Sequence, residues 1–123
     1  MGLRAMKTEP FGTTAKMGAI DVAFLDRVTF SDCALAREVL VMFDRQAESL
    51  LTIITNAESP RMRSETAHRL KGAARGIGAF DVGRAAEEIE TAQDQIELAH
   101  AISHLTARVV EARLELAGLI RNA

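Results

Sequence analysis

The 123-residue chain has no tryptophan or tyrosine, few aromatic residues of any kind (4%), two prolines and a single cysteine, Cys33. A lone cysteine excludes an internal disulfide, so the fold does not depend on an oxidising compartment and a cytoplasmic location is expected. No apolar run reaches the roughly 18 to 20 residues that span a bilayer, and the N-terminus lacks the apolar centre of a signal peptide. The sequence therefore predicts a protein that is neither exported nor embedded in a membrane.

The chain also lacks a large excess of either charge. Its 15 Lys and Arg residues against 17 Asp and Glu give a formal net charge of -2 at pH 7, and its pI is about 5.9. Domains that bind nucleic acid normally have a basic face and a high pI. The charge balance therefore argues against a nucleic-acid partner, and any cationic patch must be local.

Strand-like alternation, internal repeats and low-complexity tracts are absent, whereas helical periodicity is strong over most of the chain. Residues 1–18 are the exception, because they mix Gly, Thr, Pro and Lys without a period. We interpret residues 1–18 as a flexible N-terminal leader and residues 19–123 as one helical domain.

The periodicity predicts a short helix followed by a long one. The short helix begins after Asp21, a suitable N-cap, and places Ile20, Phe24 and Val28 on one face. The long helix covers about residues 32–56, whose first residue is an aspartate that can cap it. Its inward positions recur at steps of three and four: Leu35, Val39, Met42, Phe43, Gln46, Ala47, Leu50, Leu51 and Ile54.

A third helix is predicted from Pro60, because Ser59 is a good N-cap and proline is favoured at the first helical position. Gly76 and Gly78 should end it, since glycine reaches the left-handed conformation of helix C-caps. Asp81 is the expected cap of a fourth helix. Its inward stripe is Val82, Ala85, Ala86 and Ile89, and its outward residues are Arg84, Glu87, Glu88 and Glu90.

A fifth helix has the most regular period in the chain, formed by Leu98, Ile102, Leu105, Val109, Ala112, Leu116 and Leu119. The join to the fourth helix has no Gly or Pro, but one helix over residues 81–121 would span about 60 Å and could not fold back. We therefore expect a break near Asp94. The predicted fold is all-α, an antiparallel up-down four-helix bundle with a short extra N-terminal helix.

The third helix carries an unusual stretch, residues 67–80, with one histidine among small and basic residues. At about 100° per residue, one face collects polar and small side chains within about 60° of His68: Arg61, Ser64, Glu65, Lys71, Gly72 and Arg75. The other face is mainly apolar: Met62, Thr66, Leu70, Ala73, Ala74 and Ile77. His68 is therefore predicted at the centre of an exposed stripe.

Three neighbours of His68 indicate what it does. Gly72 lies one turn further along in mid-helix, where glycine costs about 1 kcal/mol relative to alanine, which suggests that a side chain would obstruct an approaching group. Lys71 and Arg75 share the histidine's face and would favour a dianionic group at the ring. A neutral imidazole is a competent nucleophile. This combination suits a histidine that is reversibly phosphorylated.

The stretch resembles the signature of the histidine phosphotransfer (HPt) domains of two-component phosphorelays. That signature is a histidine, then x, Leu, Lys, Gly, two small residues, two variable positions, an aliphatic residue and Gly. Here its positions are His68, Leu70, Lys71, Gly72, Ala73, Ala74, Ile77 and Gly78. The preceding long helix with Phe43 and the following Ala- and Glu-rich helix are also similar to the family, from about residue 20 to 120.

The resemblance implies that His68, through Nε2, accepts a phosphoryl group from an aspartyl phosphate on one receiver domain and passes it to another receiver. It implies that Lys71 holds the phosphoryl oxygens and that Gly72 leaves room for the receiver; Arg75 is added from the helical-face argument. Magnesium is expected on the receiver, with no cofactor or metal in this chain. The expected partners are response regulators and hybrid histidine kinases.

Two other functions remain open. The histidine domain of chemotaxis-type kinases is similar, although it normally belongs to a longer chain with dimerisation and ATP-binding parts. The glycines of residues 72–78 match neither the GxxxxGK[ST] loop nor the dinucleotide fingerprint, so autokinase activity is not expected. The different-class alternative is a non-catalytic helical adapter. A dimer through the fifth helix is also conceivable, but such a stripe is more often core, and we expect a monomer.

The other chemically versatile residues are expected to have structural explanations. His100 and His104 are an i, i+4 pair that could chelate zinc, but they point away from the apolar seam and no third ligand is evident. Cys33 is interpreted as a small filler residue rather than a redox sensor.

Overall fold

The computed structural model describes residues 18–122, which form five helices: α1 (Val22–Val28), α2 (Cys33–Asn56), α3 (Pro60–Gly76), α4 (Phe80–Thr91) and α5 (Gln95–Asn122). The long helices contact one another in the order α2, α3, α4 and α5, and α5 returns to α2. Because short turns link consecutive neighbours, they run antiparallel. The predicted four-helix bundle with a short extra helix is confirmed. The proposed leader, residues 1–18, lies outside the described residues except for Gly18.

Side-chain caps fix where most helices begin. Asp21, Asp32 and Ser59 accept hydrogen bonds from backbone N–H groups of the first turns of α1, α2 and α3, as predicted. At α5, Asp94 Oδ1 accepts from the N–H of Glu97 at 2.8 Å, while Glu97 Oε1 accepts from the N–H of the residue before Asp94 at 2.8 Å. This reciprocal cap explains the break near Asp94 without glycine or proline.

The predicted cap of α4 is wrong. The N-cap residue is Ala79, which offers no side-chain hydrogen bond, and Asp81 lies inside the first turn. The reason is the tightness of the preceding turn, in which the N–H of Ala79 donates to the carbonyl of Ala74 at 2.9 Å. The chain therefore re-enters a helix at Phe80. Asp81 still favours the helix, because a carboxylate in the first turn complements the helix dipole.

The core confirms the inward stripes of α4 and most of those of α2, α3 and α5. Four predicted inward residues are wrong: Val28, Met42 and Met62 are 41%, 67% and 52% exposed, and Gln46 is exposed as well. Each lies at the edge of its helix's apolar stripe, and periodicity within one helix does not show where the neighbouring helix ends. In α2 the buried line starts from Leu40, which had not been predicted, and continues through Phe43.

The short helix α1 closes one end of the bundle. Glu115 on α5 accepts two backbone N–H groups, from Ala19 at 2.8 Å and Ile20 at 3.1 Å. The Phe24 ring packs edge-on against the ring of Phe80, with 5.1 Å between centroids. The segment around α1 is thereby held against both α5 and the start of α4.

A bidentate ion pair joins α2 to α5 at the middle of the bundle. Arg113 Nε and Nη2 donate to the two carboxylate oxygens of Asp44 at 2.7 and 3.4 Å. The hydrogen bond with Asp44 raises the pKa of Arg113 above its ordinary value. The guanidinium therefore remains charged, and the planar pair fixes the rotation of α5 relative to α2.

We expect Gly78→Ala to destabilise the protein and Gly76→Ala not to do so. Gly78 has φ +90°, and a Cβ there would lie 2.9 Å from the backbone oxygen of Asp21, whereas a Cβ at Gly76 would meet nothing within 4 Å. The cost at Gly78 should be at least about 1 to 2 kcal/mol. At Gly76, alanine should be neutral or stabilising by up to about 1 kcal/mol. Urea unfolding measures both, and equal effects would contradict this account of the turn.

Candidate functional site

The packing of α3 fixes the direction in which His68 points. Thr66, Ala67, Leu70 and Ala74 are buried against the core, so the opposite face of the helix is turned to solvent. The His68 side chain is 68% exposed, in agreement with the predicted polar stripe. The ring is therefore accessible to a macromolecular partner.

The carboxylate of Glu90 on α4 lies beside the ring. Its Oε1 is 3.3 Å from His68 Nδ1, and its Oε2 is shielded from solvent and lies 3.0 Å from Lys71 Nζ. The prediction that Glu90 faces outward is wrong, because this side chain is only 20% exposed and lies in the seam between α3 and α4.

This contact determines which ring nitrogen can react. A carboxylate can only accept hydrogen bonds, so Nδ1 of His68 must be the donor in its contact with Glu90. In a neutral imidazole, a proton on Nδ1 leaves Nε2 with a free lone pair. The contact with Glu90 therefore leaves Nε2 as the ring nitrogen whose lone pair is available in the neutral imidazole.

Lys71 is more enclosed than the helical periodicity suggests. Its side chain is 14% exposed, and its ammonium lies between two carboxylates of α4, 3.0 Å from Glu90 and 4.0 Å from Glu87. The lysine is thus on the α4 side of His68, one helical turn from the ring, and its charge is shared with α4.

Arg75 reaches the same helix. Its Nη2 lies 3.3 Å from Glu87 Oε1, with both side chains about half exposed. The sequence placed Arg75 on the histidine's face, but the guanidinium is drawn sideways to α4. Five residues therefore follow one another in contact, and we call them the charge row: His68, Glu90, Lys71, Glu87 and Arg75.

Gly72 is exposed beside the ring, and a Cβ built there would meet nothing within 4 Å. The fold therefore does not require glycine at this position, although glycine in mid-helix costs about 1 kcal/mol relative to alanine. The open space at Gly72 is compatible with the prediction drawn from the sequence, that a side chain here would obstruct a partner approaching His68.

Sequence reasoning missed Glu87 and Glu90 as members of the site. Gly83, a second mid-helix glycine, could have indicated that this face of α4 packs closely against another helix. Glu87 and Glu90 follow Gly83 at i+4 and i+7 and therefore lie on the same face. Gly83 is buried, and a Cβ there would lie 3.1 Å from Arg75 Cγ. The face of α4 that contains Gly83, Glu87 and Glu90 is thus the one that packs against α3.

The remaining candidates lie apart from the charge row. His100 and His104 are exposed, and His104 Nδ1 lies 2.9 Å from Glu88 Oε1. Within residues 18–122, no group of three or more His, Cys, Asp or Glu side chains could hold a metal ion. Cys33 is exposed at the start of α2, so its interpretation as a filler residue is wrong.

These features define a helical bundle that exposes His68 on its surface, with the Glu90 carboxylate at its Nδ1 and the Lys71 ammonium beside that carboxylate. The profile of the Hpt domain family matches residues 38–121, well over half of the chain, so the chain belongs to the Hpt family. Proteins of this family act in histidine phosphotransfer in two-component systems and interact with receiver domains. The match contains the whole charge row. Comparisons with curated proteins and with solved structures gave no significant match.

None of the helices described between residues 18 and 122 combines the length and the apolar character needed to cross a bilayer.

We expect Glu90→Ala to abolish the preference of His68 for the Nδ1–H tautomer, because the acceptor for that proton is removed. Long-range ¹H–¹⁵N correlation spectra of the imidazoles measure the tautomer directly. His104 supplies the matched control, since its Nδ1 contacts Glu88 instead. Glu88→Ala should change the His104 signals and leave those of His68 unaltered. An unchanged His68 spectrum in Glu90→Ala would contradict the assigned role of Glu90.

Proposed function

We propose that this protein is a phosphocarrier in which His68 takes a phosphoryl group from an aspartyl phosphate on one receiver domain and passes it to an aspartate on another. Membership of the Hpt family supports histidine phosphotransfer in general. The observation that carries the specific proposal is the exposed side chain of His68, whose Nδ1 is engaged by Glu90 at 3.3 Å, which leaves Nε2 as the nitrogen available to react.

In the proposed transfer, the Nε2 lone pair of His68 attacks phosphorus while the bond from phosphorus to the aspartyl oxygen breaks. The electron pair of that bond leaves with the aspartate carboxylate, and an N–P bond forms. The ring keeps its Nδ1 proton and becomes cationic, so the Glu90 carboxylate stabilises the charge that develops, as an aspartate does for histidine in catalytic triads. Transfer to the second receiver reverses these steps.

The neighbours of His68 have supporting roles in this proposal. Lys71, one turn away, is the cation that can turn toward the phosphoryl oxygens. Gly72 leaves the surface flat for the receiver. In-line placement of donor and acceptor and the remaining charge neutralisation come from the receiver, which is expected to supply magnesium. This chain then needs no cofactor of its own.

The proposed carrier is a cytoplasmic monomer without autokinase activity. The regular apolar seam of α5 supports a monomer, because Leu105, Val109, Ala112 and Leu116 are buried inside the bundle and are not offered to a second copy. A carboxylate contact at Nδ1 also occurs at His104, so this contact alone does not separate a phosphocarrier from an adaptor. The combination of Glu90, Lys71 and an uncrowded Gly72 around His68 favours the phosphocarrier.

We expect incubation with a phosphorylated receiver to give this protein an acid-labile, base-stable phosphate, as an N–P bond requires. His68→Gln should abolish the label, whereas His100→Gln and His104→Gln should retain it. Gel autoradiography after acid and base treatment measures the label, and circular dichroism checks that the variants fold. The proposal fails if His68→Gln is labelled as wild type is, or if no receiver of the source organism labels the wild type.

We expect Gly72→Leu to impair transfer from a receiver by at least tenfold while leaving folding intact, because the added side chain enters open space on the docking side. Phosphoramidate, a small P–N donor, should label this variant nearly as fast as wild type. Ser103→Leu, at an exposed position of α5, is the matched control and should transfer normally. Equal losses with both donors would contradict the docking role of Gly72.

A further inference from the structure

We infer that Arg75 is a positioning residue that acts through Glu87, occupying the Glu87 carboxylate so that Lys71 is free to turn toward the phosphoryl group on His68. The inference rests on the proposed function. It assigns Arg75 no contact with the phosphoryl group or with the receiver, in contrast to what its place on the histidine's helix face suggests.

The path of the Arg75 side chain is the first observation. Its stem crosses α4 at Gly83, where a Cβ would lie 3.1 Å from Arg75 Cγ and 3.4 Å from Nε. A buried glycine inside α4 weakens the helix, but here it provides the space through which Arg75 reaches Glu87. The arginine is thereby directed along α4 to Glu87.

The second observation is that Glu87 has two cationic neighbours. Its Oε1 lies 3.3 Å from Arg75 Nη2 and its Oε2 lies 4.0 Å from Lys71 Nζ. Lys71 is also held by the shielded Oε2 of Glu90 at 3.0 Å. If Arg75 were removed, Glu87 would keep Lys71 as its cationic neighbour, and two carboxylates would compete for one ammonium.

That competition has a direct consequence for the reaction. The phosphoryl group brings negative charge to Nε2, and Lys71 can approach it only by loosening its contacts with α4. An unneutralised Glu87 would hold Lys71 back and would also repel the incoming group. Arg75 prevents both effects by neutralising Glu87 at a distance from the ring.

Arg75→Ala should therefore slow labelling of His68 by about two- to fivefold, the size expected for a half-exposed ion pair. The loss should be the same with phosphoramidate as with a phosphorylated receiver, because the effect lies within this chain. Arg75→Lys, which keeps the positive charge, should recover most of the rate.

The decisive variant is the double substitution Arg75→Ala with Glu87→Gln. Glu87→Gln alone should label faster than wild type, because Lys71 then loses one of its two carboxylate neighbours. The double variant should match Glu87→Gln, because Arg75 has no role once the carboxylate is neutral. A double variant as slow as Arg75→Ala would overturn the inference and assign Arg75 a direct contact. A loss seen with the receiver but not with phosphoramidate would overturn it as well.

Thermal unfolding of each variant separates these effects from misfolding, and Arg75→Gln replaces Arg75→Ala if alanine unfolds the protein. A wild type that takes no label from either donor would remove the proposed function and this inference with it. A labelled wild type with an Arg75→Ala variant that is not slowed, or is not rescued by Glu87→Gln, would overturn this inference alone.

Discussion

The Glu90 carboxylate is the group on which the whole site depends. One oxygen engages His68 Nδ1 and the other engages Lys71 Nζ, so a single side chain orients the ring, selects its tautomer and holds the nearest cation. Both contacts cross from α4 to α3, and neither helix could create the site by itself. The chemistry of the protein is therefore a property of the interface between two helices rather than of the histidine's own helix.

Small side chains make that interface possible. The residues that α3 and α4 bury include Ala67, Ala74, Gly83 and Ala86, which lets the backbones approach closely and keeps the charged residues at the edge of the seam within reach of one another. The turn at Gly78 fixes how α4 leaves α3. A slight rotation of either helix would separate the carboxylates of α4 from the cations of α3.

Much of the fold could be predicted because its signals are local. Two local signals identify helices without knowledge of the tertiary structure. One is the set of N-caps at Asp21, Asp32 and Ser59, and the other is the recurrence of apolar residues every three or four positions. The exposure of His68 could be predicted for the same reason, because its position opposite the apolar stripe of α3 is also a local property of the sequence. Glu90 was missed because helical periodicity shows that a residue lies at the edge of a stripe but not which neighbouring helix it faces. Asp81 was misassigned because the preceding turn closes at Ala79. The start of α4 is therefore set by the geometry of this turn rather than by the preference of aspartate for the N-cap position.

The net charge of the charge row is relevant to whether the site would retain a phosphoryl group or pass it on. With a neutral ring at His68, the two cations and two carboxylates of the row cancel. In the proposed carrier, a phosphoryl dianion on a cationic ring would leave the row with an excess negative charge, so this chain would stabilise the phosphorylated state only in part. A site that neutralised the group fully would hold it and raise the barrier to its departure. Partial neutralisation suits a carrier, because the receiver that completes the charge balance is then also the partner that lowers the barrier to transfer.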